Sequence, residues 1–142
     1  MMSNFYKCTN FKPEELVDKQ TFERFKGNIW FLFRQDALIS LDGIRNYFKK
    51  PVIVNNWREG GSFKFRGLRP HESPVWTQYS QHSFGNAFDL DVVGMKADEV
   101  RKEIINNKDD DHFDLITCLE IGINWVHFDC RNISERILLV KP

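Results

Sequence analysis

The most constraining feature of the sequence is an alternation of side-chain types within residues 86–93. The segment alternates small or acidic side chains with apolar ones, in the order Ala87, Phe88, Asp89, Leu90, Asp91 and Val92. A period of two residues predicts a β-strand with one apolar and one polar face. The chain must therefore cover one face of this strand with a hydrophobic core, and the other face is free to carry polar chemistry.

Helices and further strands are predicted on both sides of this strand. Pro13 followed by two acidic residues indicates a helix start, and Asp36 is the predicted N-cap of a second helix. The predicted helices cover residues 12–26, about 36–48, 96–107 and 112–121, and the other predicted strands cover 52–54, 124–130 and 136–140. Residues 55–78 are predicted to form a long irregular loop. A chain of 142 residues is expected to form a single domain, 1–142.

Composition excludes several classes of protein. The 20 basic residues balance the 20 acidic ones, so nucleic-acid binding is not expected. Three widely spaced cysteines predict free thiols rather than a disulfide framework. Residues 1–7 lack the features of a secretory signal, and the longest apolar run, residues 29–33, is too short to span a bilayer. We expect a monomer that is cytoplasmic at synthesis and has no membrane partner.

Two histidines and one aspartate are the candidate metal ligands. His82 lies seven residues before Asp89, with Gly85 between them where the chain can turn. His127 lies in a second predicted strand, on the same face as Asp129. Two imidazoles and one carboxylate are a common ligand set of catalytic zinc, which keeps a further position open. The sequence therefore predicts a Zn²⁺ site, provided that the fold brings the three side chains together.

The same motifs resemble the D-alanyl-D-alanine metallopeptidase family. The resemblance is carried by Ser80-Gln81-His82 with Gly85, Ala87 and Asp89, followed far downstream by Trp125-Val126-His127-Phe128-Asp129. It spans residues 67–129, a little under half of the chain. It implies an α+β fold with a small antiparallel sheet flanked by helices, which that family shares with the hedgehog signalling domain.

The resemblance also implies an activity. His82, Asp89 and His127 would bind zinc, and the reaction would be hydrolysis of a peptide bond in bacterial peptidoglycan, as in carboxypeptidases, endopeptidases and phage lysins of that family. The substrate would be the peptidoglycan stem peptide. Arg69, and with less support Arg66, lie near the position where relatives place an arginine that holds the substrate. An enzyme made without a leader would reach the wall through a phage lysis system or inside a virion.

The general base is the point at which the sequence departs from the family pattern. Many members place an acidic residue three positions before the last zinc histidine, where this chain has Asn124. Glu120 and Asp129 are the two candidate substitutes, and Asp129 is slightly favoured. Asp129 also suits a role as a partner that orients an imidazole.

Two alternatives remain open from the sequence. The first is a non-catalytic zinc-binding module of the same fold that binds a wall peptide or a protein partner, an alternative that Asn124 supports. The second is a structural zinc closed by a fourth ligand such as Asp91 or Cys130. In a regular strand, Cys130 would face away from His127.

Overall fold

The structure, a computed structural model, describes residues 5–142. It has three α-helices: α1, Lys19–Phe25; α2, Gln35–Phe48; and α3, Ala97–Asn106. It has five strands: β1, Val52–Ile53; β2, Ala87–Val92; β3, Cys118–Glu120; β4, Val126–Asp129; and β5, Leu138–Val140. Short 3-10 helices occur at Pro13–Glu15, Lys26–Leu32, Trp57–Glu59 and Gln81–Phe84. The α+β class predicted from the sequence is thus confirmed.

All five strands form one small sheet in the order β1-β2-β4-β3-β5. The pairs β1–β2, β2–β4 and β3–β4 are antiparallel, and the β3–β5 pair at one edge is parallel. The expectation of an antiparallel sheet is therefore correct except at that edge. The central pair places Asp89 opposite His127 and Ala87 opposite Asp129.

The apolar face of the sheet packs on the hydrophobic core. Phe88 lies between Phe33 and Phe128, with ring centroids 5.3 and 5.9 Å away. Helix α2 contributes Leu41 and Ile44, both fully buried, to the same core. Burying such side chains contributes about 1.5–3 kcal/mol each. The core holds one face of β2 and β4 in place, so that the polar face can carry Asp89 and His127.

Two of the predicted helices are wrong or displaced. The helix predicted over residues 12–26 begins only at Lys19, because Asp18 caps it by accepting a hydrogen bond from the Thr21 amide at 3.2 Å. The helix predicted over residues 112–121 does not form: Cys118 and Leu119 instead pair with β4. Strand pairing in the middle of the sheet outweighs the local helical pattern there.

The expectations for one strand, two helices and the cysteines are confirmed. The strand predicted over residues 86–93 is β2, and α2 and α3 lie within a residue or two of their predicted bounds. Cys8, Cys118 and Cys130 are free thiols. Between residues 5 and 142, no helix is long and apolar enough to cross a membrane. The expectation of no secretory signal rests partly on residues 1–4, which lie outside the described residues.

Candidate metal centre

The β2–β4 ladder brings two of the three predicted ligands together. Asp89 and His127 are cross-strand partners, and Asp89 Oδ1 lies 2.8 Å from His127 Nδ1. Both side chains are almost fully buried. Their contact follows directly from the strand alternation, because directly opposed residues of antiparallel strands share one face of the sheet.

His82 reaches the same point from the 3-10 helix Gln81–Phe84. Its Nε2 lies 3.1 Å from Asp89 Oδ1 and 3.2 Å from His127 Nδ1. Ser80 caps this helix, and Gly85 ends it with φ of +66°. A Cβ at Gly85 would lie 2.1 Å from the carbonyl oxygen of Leu32, so only glycine fits there.

Each imidazole is oriented by a hydrogen bond of the ring nitrogen that faces away from Asp89. His82 Nδ1 lies 2.9 Å from the carbonyl oxygen of Gly67, which can only accept, so this nitrogen carries the proton. His127 Nε2 lies 2.9 Å from Asp129 Oδ2 and donates to it in the same way. In the neutral rings the unprotonated nitrogens are therefore His82 Nε2 and His127 Nδ1, and both face Asp89 Oδ1.

The pKa values of this cluster are shifted by the same contacts. Burial would raise the pKa of Asp89, but the contacts of its carboxylate with the His127 and His82 rings outweigh it and hold that pKa well below its usual range. Burial would lower the pKa of His127, but hydrogen bonds to Asp129 and Asp89 raise it to about 9. Without a metal, a proton on His127 Nδ1 thus occupies the space between the ring and Asp89.

The donor set fits a divalent cation. Tetrahedral zinc with bonds of about 2.0–2.1 Å places its ligand atoms about 3.3 Å apart. The three atoms here are separated by 2.8, 3.1 and 3.2 Å, so a shift of a few tenths of an ångström admits the ion. The ion would take the place of the proton that lies between His127 Nδ1 and Asp89 in the metal-free protein. The group of His82, Asp89 and His127 can therefore hold a metal ion.

An open cavity of about 320 Å³ lies over these ligands. It is lined by Arg69, Tyr79, Ser80, Gln81, His82, Asp89, Glu120, Trp125, His127, Arg131 and Pro142. Glu120, at the end of β3, points into it with Oε1 3.7 Å from His127 Nδ1 and a side chain that is 22% exposed. A carboxylate thus stands beside the ligands within reach of a bound molecule.

Asp129 occupies a different position from Glu120. It lies behind the His127 ring and is fully buried, and both of its oxygens accept hydrogen bonds from Arg131. Burial would raise the pKa of Asp129, but the Arg131 and His127 hydrogen bonds outweigh it and lower that pKa. Arg131 was not singled out in the sequence, although its position two residues after Asp129 is the same-face spacing of a strand.

The two candidate arginines are separated by the structure. Arg69 lines the cavity, and its Nη2 donates to Asp89 Oδ2 at 3.0 Å while its Nε donates to the Phe65 carbonyl. Arg66 does not line the cavity: it pairs with Asp91 at 3.0 Å and stacks on the Phe63 ring. Arg69 is therefore in a position to contact a ligand, and Arg66 is engaged elsewhere.

The remaining candidates lie away from the ligands. Asn124 lines a second cavity of about 330 Å³ beside α3, together with Asp91. Cys130 belongs to the hydrophobic core and contacts Ser40 of α2, as the alternation predicted. Among residues 5–142, neither Asp91 nor Cys130 belongs to the ligand group.

Searches against family models, curated proteins and solved structures find no match for this chain. The class of the protein therefore rests on its fold and its site: it is a small α+β protein with a buried His-Asp-His group that can hold a metal ion.

Proposed function

We propose that the protein is a zinc metallopeptidase that hydrolyses a peptide bond of bacterial peptidoglycan. The observation that carries the proposal is the convergence of His82, Asp89 and His127 at the floor of an open cavity, with a partly exposed carboxylate beside them. The substrate class rests on the motifs that resemble D-alanyl-D-alanine metallopeptidases.

Zinc is the proposed ion because the ligand set is two imidazoles and one carboxylate, and no fourth protein ligand joins the group among residues 5–142. A zinc ion held there would supply Lewis acidity, lowering the pKa of a water molecule to about 7 and polarising a carbonyl. A cavity on the open side would allow substrate to approach.

Glu120 is the proposed general base. Its carboxylate would accept a proton from the attacking water and return it to the amine of the departing fragment, so that one water is consumed for each peptide bond broken. Asp129 cannot reach the cavity in the same way, because it is fully buried and its oxygens are engaged by Arg131 and His127. The geometry thus supports Glu120 over Asp129.

Arg69 is the proposed contact for the stem peptide. While one of its amino groups holds Asp89, its guanidinium has further N–H groups that can donate to a carbonyl or carboxylate. Its side chain is 23% exposed at the cavity wall.

The test is mass spectrometry of purified muropeptides incubated with the zinc-loaded protein. We expect new peptide products from the unaltered protein and from Glu135→Gln, which changes an exposed glutamate in the C-terminal region. Glu120→Gln should lower the rate by about 10²–10⁴-fold and still bind zinc. Absence of products from the zinc-loaded unaltered protein would contradict the enzyme and favour a non-catalytic binding module.

A further inference from the structure

The Asp129 carboxylate has no solvent exposure and accepts four hydrogen bonds. Its Oδ2 accepts from His127 Nε2 at 2.9 Å and from Arg131 Nη2 at 2.6 Å. Its Oδ1 accepts from Arg131 Nε at 2.8 Å and from the Arg131 amide at 3.2 Å. One residue thus supplies three of the four donors to this carboxylate.

We propose that Arg131 is a positioning residue that acts through Asp129 to set the orientation of His127 for metal binding. This inference rests on the proposed metal site and concerns a residue that contacts none of the metal ligands through its own hydrogen bonds. The guanidinium is planar and donates in parallel from two nitrogens, so it fixes the plane of the Asp129 carboxylate. The fixed carboxylate in turn fixes the direction in which His127 Nε2 donates.

The orientation matters because His127 has two nitrogens and only Nδ1 faces the other ligands. A proton held on Nε2 by Asp129 leaves the electron pair on Nδ1. Rotation of the ring, or transfer of the proton to Nδ1, would remove the third electron pair from the site. Partners of this kind contribute about 10–100-fold to metal affinity in known zinc proteins.

The position of Arg131 is itself fixed by the fold. It lies two residues beyond the end of β4, and its carbonyl accepts a hydrogen bond from the Thr117 hydroxyl at 2.6 Å. Its side chain lies at the wall of the cavity and is 30% exposed. The Arg131–Asp129 pair therefore connects the cavity wall to the back of a metal ligand.

The experiment measures zinc affinity by competition with a chromophoric chelator in four proteins: unaltered, Arg131→Lys, Asp129→Asn and Asp91→Asn. Lysine keeps the charge but loses the two parallel bonds, and we expect about 10-fold weaker zinc binding. Asparagine has one accepting oxygen, which the Arg131 donors would hold, so its NH₂ would face His127 Nε2 and favour the wrong tautomer. We expect about 100-fold weaker binding for Asp129→Asn.

Asp91→Asn is the matched control, since it alters an Asp–Arg pair of the same sheet that contacts no ligand side chain. Its zinc affinity should equal that of the unaltered protein. Circular dichroism and thermal unfolding without metal check that each variant folds. A second measurement needs no variant: ¹⁵N NMR of the zinc-loaded protein should show His127 protonated at Nε2.

The outcomes separate this inference from the proposed function. Tight zinc binding by the unaltered protein with equal affinity in Arg131→Lys and Asp129→Asn overturns the positioning role alone. Protonation of His127 at Nδ1 in the zinc-loaded protein overturns the positioning role and also contradicts His127 Nδ1 as a metal ligand. No zinc binding by the unaltered protein overturns both.

Discussion

Asp89 and His127 face each other across the β2–β4 ladder, and Asp89 Oδ1 lies 2.8 Å from His127 Nδ1. A shift of the register by one residue would turn one of them into the core. The core residues Phe88 and Phe128, which are also opposed, fix this register from the other face. The hydrophobic core therefore holds two of the three metal ligands in position.

His82 is the ligand outside the sheet, and its removal should abolish tight metal binding without disturbing the strand pair. We expect His82→Ala to weaken zinc binding by about 100-fold or more, because even an indirect partner of a ligand contributes 10–100-fold. The measurement is chelator competition or calorimetry. The control is His112→Ala, which changes a partly exposed histidine that pairs with Asp110. Equal affinities in the two variants would contradict the assignment of His82.

Arg69 and Arg66 should respond differently to replacement by lysine. Arg69→Lys loses the hydrogen bond to Asp89 and changes the cavity wall, so we expect a KM raised by about 10-fold on muropeptides. Arg66→Lys changes a pair with Asp91 outside the cavity and should raise KM less. Steady-state kinetics measure KM for both variants. A larger rise in KM for Arg66→Lys than for Arg69→Lys would refute the proposed contact of the substrate with Arg69.

Gly85 should tolerate no side chain. Its φ of +66° and the 2.1 Å approach of a Cβ to the Leu32 carbonyl predict a loss of about 2 kcal/mol or more in the free energy of unfolding for Gly85→Ala. Gly27→Ala is the matched control, because a Cβ there meets nothing within 4 Å. Urea unfolding of the metal-free proteins measures both. Similar urea midpoints for the two variants would contradict this prediction, because they would show that the turn at Gly85 accepts a side chain without loss of stability.

The stability of the metal-free protein should fall as the pH rises from 6.5 to above 9. The pKa of His127 is raised to about 9, above the value of about 6.5 in an unfolded chain. The folded state therefore holds this proton more tightly, and the resulting stabilisation is fully present below pH 6.5 and lost as the pH passes 9. The difference is on the order of 3 kcal/mol.

Zinc should reverse this dependence, because metal and proton compete for His127 Nδ1 and zinc binds more tightly as the pH rises. Thermal unfolding from pH 6 to 10, with a chelator and with excess zinc, measures both effects. A metal-free melting temperature that stays constant across this range would contradict the proposed proton between His127 and Asp89.

The sequence predicted the parts of the site that depend on local periodicity. The alternation in β2 placed Asp89 on the polar face, and the same argument placed His127 and Asp129 together. It could not predict that Glu120 faces the cavity, since this depends on β3 lying beside β4. The contact between Arg131 and Asp129 has a local signal in their spacing of two residues, which the prediction did not use. The segment containing Glu120 is predicted to be a helix, because the local sequence carries no signal of the pairing between β3 and β4. The cap at Asp18, by contrast, was a local signal that the prediction overlooked.

The Gly67 carbonyl that accepts the hydrogen bond from His82 lies within the long stretch without strand or α-helix, residues 54–86, that separates β1 from β2. An ion bound by His82, by Asp89 of β2 and by His127 of β4 would link this stretch to the sheet. Chelation should therefore speed cleavage by trypsin after Arg66, and added zinc should slow it, with fragments identified by mass spectrometry. The same protein could thus lose its metal and become susceptible to degradation in a single step.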